Sequence, residues 1–227
     1  MAVGSLSFEL NEGEILGLIG PNGAGKTTVF NCLSGFLPPD EGEVFLEGQS
    51  LAGLPPFQIC RRGLARTFQI VKPFLTISVL DNVMVGALTR EKSTAQAQTA
   101  AGEIIEFMGL ARVARQEAQG LPLPLRKRLE LARALATQPK VLLLDEVMAG
   151  LNPTEVDELI GLIQEVNRRG VSILLIEHVM RGVMALSQRV IVINYGLKIA
   201  EGAPAEVVKD QGVIEAYLGK EFLIAQG

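Results

Sequence analysis

Runs of apolar residues alternate with amphipathic stretches along most of the chain. The runs at Ile15–Ile19, Val141–Leu144 and Ser172–Ile176 contain few polar positions, which predicts strands covered on both faces, as in a parallel sheet. The stretch Pro153–Arg169 follows a good N-cap, Asn152, and repeats apolar residues every three or four positions, which predicts an amphipathic helix. Strands that alternate with such helices indicate an α/β domain with a mostly parallel sheet core flanked by helices.

Weaker patterns extend this plan toward both ends of the chain. Further strands are predicted at Ser5–Leu10, Glu43–Leu46, Ala65–Phe68 and Arg189–Asn194. Further helices are predicted at Lys26–Ser34, Pro55–Arg62 and Val179–Leu186. We also expect a small antiparallel β part at the N-terminus.

The middle of the chain has a different pattern, because only helical periodicity is found there. Its predicted helices are Ser78–Gly86, Thr94–Met108 and Leu125–Ala136. We therefore expect one domain over residues 1–227. Residues 1–72 and 138–227 would form the α/β core, and residues 73–137 an inserted α-helical subdomain.

Composition and charge narrow the classes of function. The chain has 227 residues, 48% of them hydrophobic, which is enough for a large core. Its net charge of −4 gives no electrostatic support to a nucleic-acid partner. We find no apolar run near the roughly 18 residues of a membrane-spanning helix and no secretory signal, so we expect a cytoplasmic protein. Cys32 and Cys60 lack metal-ligand spacing and are interpreted as small buried hydrophobes.

A glycine-rich segment between a predicted strand and a predicted helix matches the pattern G-x-x-x-x-G-K-[ST] in full. The segment is Gly20-Pro21-Asn22-Gly23-Ala24-Gly25-Lys26-Thr27-Thr28. Glycines allow successive backbone N–H groups to point at one anion, and the helix N-terminus adds its dipole. Lys26 would neutralise the β- and γ-phosphates, and the Thr27 hydroxyl would bind Mg²⁺. The segment therefore predicts a site for ATP with Mg²⁺.

Acidic and imidazole groups follow two other predicted strands. Asp145 and Glu146 come directly after Val141–Leu144, and His178, the only histidine, comes just after Ser172–Ile176. Because parallel strands end at the same edge of a sheet, these groups should lie beside the phosphate loop. Asp145 would hold Mg²⁺ through water, and Glu146 would orient or polarise the attacking water. His178 would sense the γ-phosphate or organise that water.

Together these motifs resemble the nucleotide-binding subunits of ABC transporters, over nearly the whole chain. "DEVMAGLNPTE" resembles the family's metal-binding Asp, catalytic Glu and D-loop, and "LLIEHVM" resembles its switch-histidine segment. Gln69 in "ARTFQ" resembles the glutamine that senses Mg²⁺ and water in the family. The phrases "AGLNPTE", "RTFQ" and "VIEAYLGKE" are most similar to the ATPase subunits of branched-chain amino acid importers. The fold implied is that of a P-loop NTPase.

The resemblance also implies partners. Two ATPase subunits, identical or different, would form a head-to-tail dimer that holds two ATP molecules. They would bind transmembrane permease subunits on the inner face of the cell membrane, served by a periplasmic or surface substrate-binding protein. The region around Arg66–Pro73 and the helical subdomain would dock the membrane subunit. The catalytic set implied is Glu146, His178 and Gln69, with Thr27, Gln69 and Asp145 serving Mg²⁺.

Three positions depart from the family pattern. Leu121-Pro122-Leu123-Pro124-Leu125 stands where the family typically has Leu-Ser-Gly-Gly-Gln, and Pro124 lacks the N–H that could bind a γ-phosphate. This segment is either a weakened signature loop or an extended linker into the next helix. The aromatic that stacks on adenine in the family normally lies upstream of Met1, and Phe8 is expected to point into the core. Val147 replaces the usual proline after the catalytic Glu.

Other functions of this sequence remain open. A soluble ABC ATPase, such as one in cluster assembly, would lack a membrane partner on purification. A weakly hydrolysing regulatory subunit is suggested by the altered Leu121–Leu125 segment, although Glu146 and His178 are present. A P-loop kinase would leave the set Gln69, Glu146 and His178 unexplained.

Overall fold

A central sheet runs through the protein. The computed structural model describes residues 3–68 and 73–224. The strands of the sheet are β1 (Ile15–Ile19), β4 (Leu64–Arg66), β5 (Val141–Asp145), β6 (Ser172–Ile176), β7 (Arg189–Asn194) and β8 (Leu197–Gly202). Their order is β4-β5-β6-β1-β7-β8, parallel except for β8, which pairs antiparallel with β7. A separate antiparallel pair joins β2 (Phe45–Leu46) to β3 (Gln49–Ser50).

Helices cover the sheet and fill the predicted insertion. Those outside the insertion are α1 (Lys26–Leu33), α2 (Pro56–Arg62), α6 (Pro153–Arg168), α7 (Met180–Leu186), α8 (Pro204–Val207) and α9 (Gln211–Ile224). Those inside it are α3 (Val79–Ala87), α4 (Thr94–Phe107) and α5 (Leu123–Leu135). In the described residues, none of these helices is long and apolar enough to cross a membrane. The division into a core and a helical subdomain at residues 73 and 137 stays a prediction.

The central strands are buried on both faces, as their apolar runs predict. Leu142 and Leu144 of β5 enter one hydrophobic core, and Leu143 enters the core on the other side of the sheet. All three have 0% of their surface exposed. Both faces of β5 are therefore shielded from solvent, which explains why polar and apolar residues do not alternate along this strand.

Helix α6 begins where the sequence predicts. Asn152 accepts a hydrogen bond from the backbone N–H of Glu155, and the Glu155 side chain accepts one from the N–H of Asn152. This reciprocal capping box satisfies two donors of the first turn, and Pro153 needs no donor at its position. The beginning of α6 thus follows from local chemistry alone.

Some predicted boundaries are wrong. Ser5–Leu10 is not a strand, because Ser5 has a positive φ of 50° and Gly4 donates its N–H to the carbonyl of Gly196 instead of to a sheet ladder. The helix predicted from Leu125 begins earlier, at Leu123, since Pro122 takes the N-cap position and Pro124 fits within the first turn. The strand predicted at Ala65–Phe68 is β4, which ends at Arg66. Strand β8 and helices α8 and α9 were not predicted from periodicity.

Candidate nucleotide site

The phosphate-binding segment joins β1 to α1. Gly20, Gly23 and Gly25 all have positive φ angles, of 155°, 81° and 107°. At Gly20 a Cβ would lie 2.1 Å from the backbone oxygen of Ile193, so the close approach of two loops requires glycine there. The loop therefore has the conformation that its glycines predict, with the first turn of α1 behind it.

Lys26 folds back over this loop. Its Nζ donates to the carbonyl oxygens of Gly20, at 2.6 Å, and Pro21, at 3.0 Å. Burial lowers the pKa of Lys26, and the nearby carboxylates of Glu146 and Asp145 act in the opposite direction. The ammonium group thus lies within electrostatic reach of both acidic residues, as the shared sheet edge predicts.

Neighbouring segments hold the loop from outside. The N–H of Gly196, in the turn between β7 and β8, donates to the carbonyl of Ala24 at 2.9 Å. Near the C-terminus, the phenol oxygen of Tyr217 interacts with the backbone N–H of Gly20, which acts against the rise in the pKa of Tyr217 that burial causes. The sequence analysis did not identify Tyr217 as a site residue.

Asp145 ends β5 and is almost fully buried. Its Oδ2 accepts a hydrogen bond from Arg66 at 2.8 Å, and the two side chains are only 4% and 7% exposed. The backbone N–H of Asp145 donates to the hydroxyl of Thr67 at 3.1 Å. Arg66 also bonds Asn31 and Ser34 and lies over the rings of Phe30 and Phe68. Sequence reasoning missed Arg66, because its partner is 79 positions away.

Glu146 and His178 meet directly. Nε2 of His178 lies 2.7 Å from Oε1 of Glu146, and the imidazole donates to the carboxylate. Glu146 has a positive φ of 50°, a strained conformation for a residue with a side chain. Its N–H donates to the carbonyl of Ile176 at 2.9 Å. The backbone therefore turns sharply at Glu146 and presents its carboxylate to His178, whose side chain is 39% exposed.

The oxygen groups at this edge fit Mg²⁺ carried by a nucleotide. In the part of the chain that the structure describes, no cluster of three or more His, Cys, Asp or Glu side chains could hold a metal ion by itself. Mg²⁺ needs few protein oxygens when phosphates and water complete its shell. Thr27, exposed beside the loop, and Asp145 supply a hydroxyl and a carboxylate. Gln69, the third predicted Mg²⁺ residue, lies outside the described residues.

Comparison with known proteins decides the family. The ABC transporter family model matches residues 3–149, and a family model described as branched-chain amino acid ATP-binding cassette transporter matches residues 198–222. The chain belongs to the ABC transporter family. The resemblance seen in the sequence and the P-loop NTPase fold, with its mostly parallel sheet, are thereby confirmed.

Several relatives of the ABC family are similar over nearly the whole chain. The high-affinity branched-chain amino acid transport ATP-binding protein LivG of Escherichia coli K12 is 44% identical over 97% of this chain and 92% of its own length. BraF of Pseudomonas aeruginosa, with the same description, is 38% identical with the same coverage. The lipopolysaccharide export system ATP-binding protein LptB of Escherichia coli K12 is 36% identical with the same coverage.

Solved ABC structures share the fold closely. A nucleotide-free ATP-binding cassette from an ABC transporter superposes with a TM-score of 0.88 at 30% identity, covering 96% of this chain and 93% of that one. The ADP conformation of the cassette MJ1267 gives a TM-score of 0.87 at 31% identity, covering 96% and 92%.

The segment at the position of the family's signature loop is ordered by Arg126. The guanidinium of Arg126 donates to the carbonyls of Leu121, at 2.7 Å, and Gln119, at 2.8 Å. Leu121 is buried and extended, whereas Leu123–Leu125 is already the first turn of α5. The segment is therefore an extended linker only at its start. The role of Pro124 in nucleotide binding stays a prediction.

The two other departures from the ABC pattern have simple structural descriptions. Val147 is 3% exposed and packs in the same hydrophobic core as Leu142 and Leu144. Phe8 is half-buried and packs against the opposite core, as predicted.

Proposed function

We propose that this chain is the ATP-binding and ATP-hydrolysing subunit of an ABC importer, and that the importer carries branched-chain amino acids. The observation that carries the proposal is the meeting of the phosphate loop, Asp145 and the Glu146–His178 pair at one sheet edge. Lys26 is coupled electrostatically to Asp145 and Glu146, and Glu146 is hydrogen-bonded to His178. This geometry supports the proposal that phosphate neutralisation, metal binding and water activation occur together at this edge.

Each residue has a distinct role in the proposed hydrolysis. The backbone N–H groups of Gly20–Thr28 bind the phosphates, and Lys26 leaves its carbonyl partners to neutralise them. Thr27 and Asp145, with Gln69 implied by the resemblance, would hold Mg²⁺, which supplies positive charge against the phosphate oxygens. Glu146 accepts a proton from the attacking water, and His178 fixes the orientation of that carboxylate.

Hydrolysis is tested by one isosteric replacement. Glu146→Gln keeps an oxygen that accepts the His178 hydrogen bond but removes the base, so we expect the turnover of Mg·ATP to fall at least about 100-fold. ATP should still bind, because the phosphate loop is intact. Glu103→Gln, an exposed change on α4, is the matched control and should keep full activity. Full hydrolysis by Glu146→Gln would remove Glu146 from its role.

The substrate class is supported by the comparisons. Both LivG and BraF are named for branched-chain amino acid transport, and the second family model covers nearly all of β8, all of α8 and most of α9. The relative named for lipopolysaccharide export is less similar to this chain than LivG. We therefore favour import of branched-chain amino acids over export.

A docking surface for the membrane subunits would lie around the undescribed residues 69–72. Two exposed aromatic residues, Phe68 and Phe74, stand on either side of this segment in the sequence, and the exposed ring of Phe36 contacts Phe68. The rings of Phe36 and Phe68 are 5.7 Å apart and nearly perpendicular, and Arg133 stacks on Phe74. The exposed rings of Phe36 and Phe68, next to the Arg66–Asp145 ion pair, suit a helix of a membrane partner, which would cover them.

The transport proposal needs the partner subunits. The chain would be produced together with the membrane subunits encoded beside it and reconstituted in vesicles with the matching binding protein. We expect the chain to co-purify with the membrane subunits, as a homo- or heterodimer of ATPase subunits bound at the inner face of the membrane. The vesicles should take up labelled leucine when ATP is present. ATP hydrolysis by a chain that never binds a membrane subunit would favour the soluble ATPase function, and hydrolysis-independent assembly would favour a regulatory subunit.

A further inference from the structure

A buried carboxylate joins the two loops that carry Glu146 and His178. Glu177 is only 2% exposed. Its Oε1 accepts the backbone N–H of Met148 at 2.7 Å, while its Oε2 accepts those of His178 at 3.1 Å and Val179 at 3.4 Å. One side chain thus holds the loop after β5 and the loop after β6 at a fixed separation.

A buried lysine contacts the same turn from the helical insertion. Lys127, in the second turn of α5, is 4% exposed. Its Nζ donates to the backbone carbonyl of Glu146 at 3.1 Å. Its charge also lowers the pKa of Glu177, against the larger rise that burial causes. In the described part of the chain, the hydrogen bonds of Lys127 and Glu177 go to the turn at Glu146–Met148 and to the loop after β6.

These contacts fall where the backbone is strained. Glu146 has a φ of 50°, and such a conformation persists only when surrounding contacts over-determine it. Lys127 holds the carbonyl of Glu146, while Glu177 holds the N–H of Met148, two residues later. The turn is therefore fixed on both sides, and with it the direction of the Glu146 carboxylate toward His178.

We propose that Lys127 and Glu177 are a pair of positioning residues that hold the Glu146–His178 pair in its reactive geometry. The inference rests on the proposed ATP hydrolysis and assigns it a support that begins in α5. Because α5 begins within the segment Leu121–Leu125, a shift of this segment moves the helix and the ammonium that holds the Glu146 carbonyl. Through Lys127, helix α5 contacts the backbone of Glu146, the residue proposed to activate water.

The experiment replaces each positioning residue in the full chain and separates kcat from KM. Lys127→Met keeps the length of the side chain and removes its charge. Misplacing a catalytic group by about 1 Å can cost about 100-fold, so we expect kcat to fall between about 10- and 100-fold with KM for Mg·ATP changed less than about threefold. Lys127→Arg restores a donor and should recover most of that loss. Lys140→Met, at an exposed ion pair with Glu47, is the matched control and should change neither constant.

A second variant keeps the proposal testable if Lys127→Met unfolds. Glu177→Gln turns one carboxylate oxygen into an NH₂ group, which would face either the N–H of Met148 or the N–H groups of His178 and Val179. Because two donors repel each other, the two loops should separate. We expect kcat to fall while ATP affinity is preserved. The double variant should lose less than the product of the two single losses, since both residues hold one turn.

The outcomes separate this inference from the proposed function. If the unmodified chain does not hydrolyse ATP, the proposed function fails first. If the unmodified chain is active and both Lys127→Met and Glu177→Gln keep its kcat, only the positioning role is overturned. The same conclusion follows if KM rises as much as kcat falls, or if Lys140→Met loses as much activity as Lys127→Met.

Discussion

The ion pair of Arg66 with Asp145 leads to a prediction that links stability to nucleotide binding. The two groups lie 2.8 Å apart with side chains 7% and 4% exposed. Asp145 is also a proposed Mg²⁺ residue, so its carboxylate, which is ion-paired with Arg66, would gain a further positive partner with Mg·ATP. The replacement Arg66→Met fills much of the same volume between Phe30 and Phe68 and removes the charge.

The cost of this replacement can be worked from the contacts. Removing one partner of a buried ion pair costs about 3 to 5 kcal/mol, because the other charge stays buried. For a chain of 227 residues, each kcal/mol shifts the melting temperature by about 2–4 °C, so Tm should fall by about 6 to 20 °C.

Nucleotide should offset this cost selectively. Saturating Mg·ATP stabilises any variant that binds it, but in Arg66→Met it also returns positive charge to Asp145. The rise in Tm on adding Mg·ATP should therefore exceed that of the unmodified chain by at least about 2 °C, equivalent to about 1 kcal/mol or less. ATP with EDTA should give no such excess. The assay is thermal unfolding followed by circular dichroism.

A matched arginine provides the control. Arg189 begins β7 and pairs with Glu14 and Glu201, away from the phosphate loop. Arg189→Met should lower Tm, with the same Mg·ATP increment as the unmodified chain. Equal increments in Arg66→Met and Arg189→Met would show that Asp145 does not receive charge from bound Mg·ATP, and the metal role of Asp145 would be refuted.

Three further predictions concern other parts of the chain. With Pro124 in the first turn of α5, ATP-driven dimerisation should be weak, so the ATPase rate per molecule should stay nearly constant as protein concentration rises; strong, cooperative activity would contradict this. Burial raises the pKa of Glu130 above its usual 4.5, so the folded state binds this proton more tightly than the unfolded state does. The free energy of unfolding should therefore fall as pH rises through the folded-state pKa, and Glu130→Gln should remove this contribution. The same pH dependence of urea unfolding in both chains would contradict the prediction. Asn152→Ala removes the cap of α6 and should cost about 1 kcal/mol in urea unfolding, whereas an unchanged midpoint would mean that the capping box does not stabilise α6.

Features that depend on neighbours along the chain could be predicted from the amino-acid sequence. The phosphate loop was recognisable because one stretch from Gly20 to Thr28 contains its glycines, lysine and hydroxyl. The strands β1, β5 and β6 were predicted because burial on both faces leaves a local mark, an apolar run. The shared edge of parallel strands then predicted that Asp145 and His178 would meet Lys26, and the structure brings their loops together.

The distant groups that contact that site could be identified only from the packing of the folded chain. Arg66 reaches Asp145 across 79 positions and Lys127 reaches Glu146 across 19, and nothing in either local pattern marks these partners. The segment Ser5–Leu10 has strand-like alternation, yet its start bonds to the β7–β8 turn and forms no ladder. Propensity and spacing act over a few residues, whereas ion pairs and loop contacts depend on which elements pack together. The predicted site residues could therefore be identified from the sequence, whereas the side chains that contact them from distant parts of the chain could not.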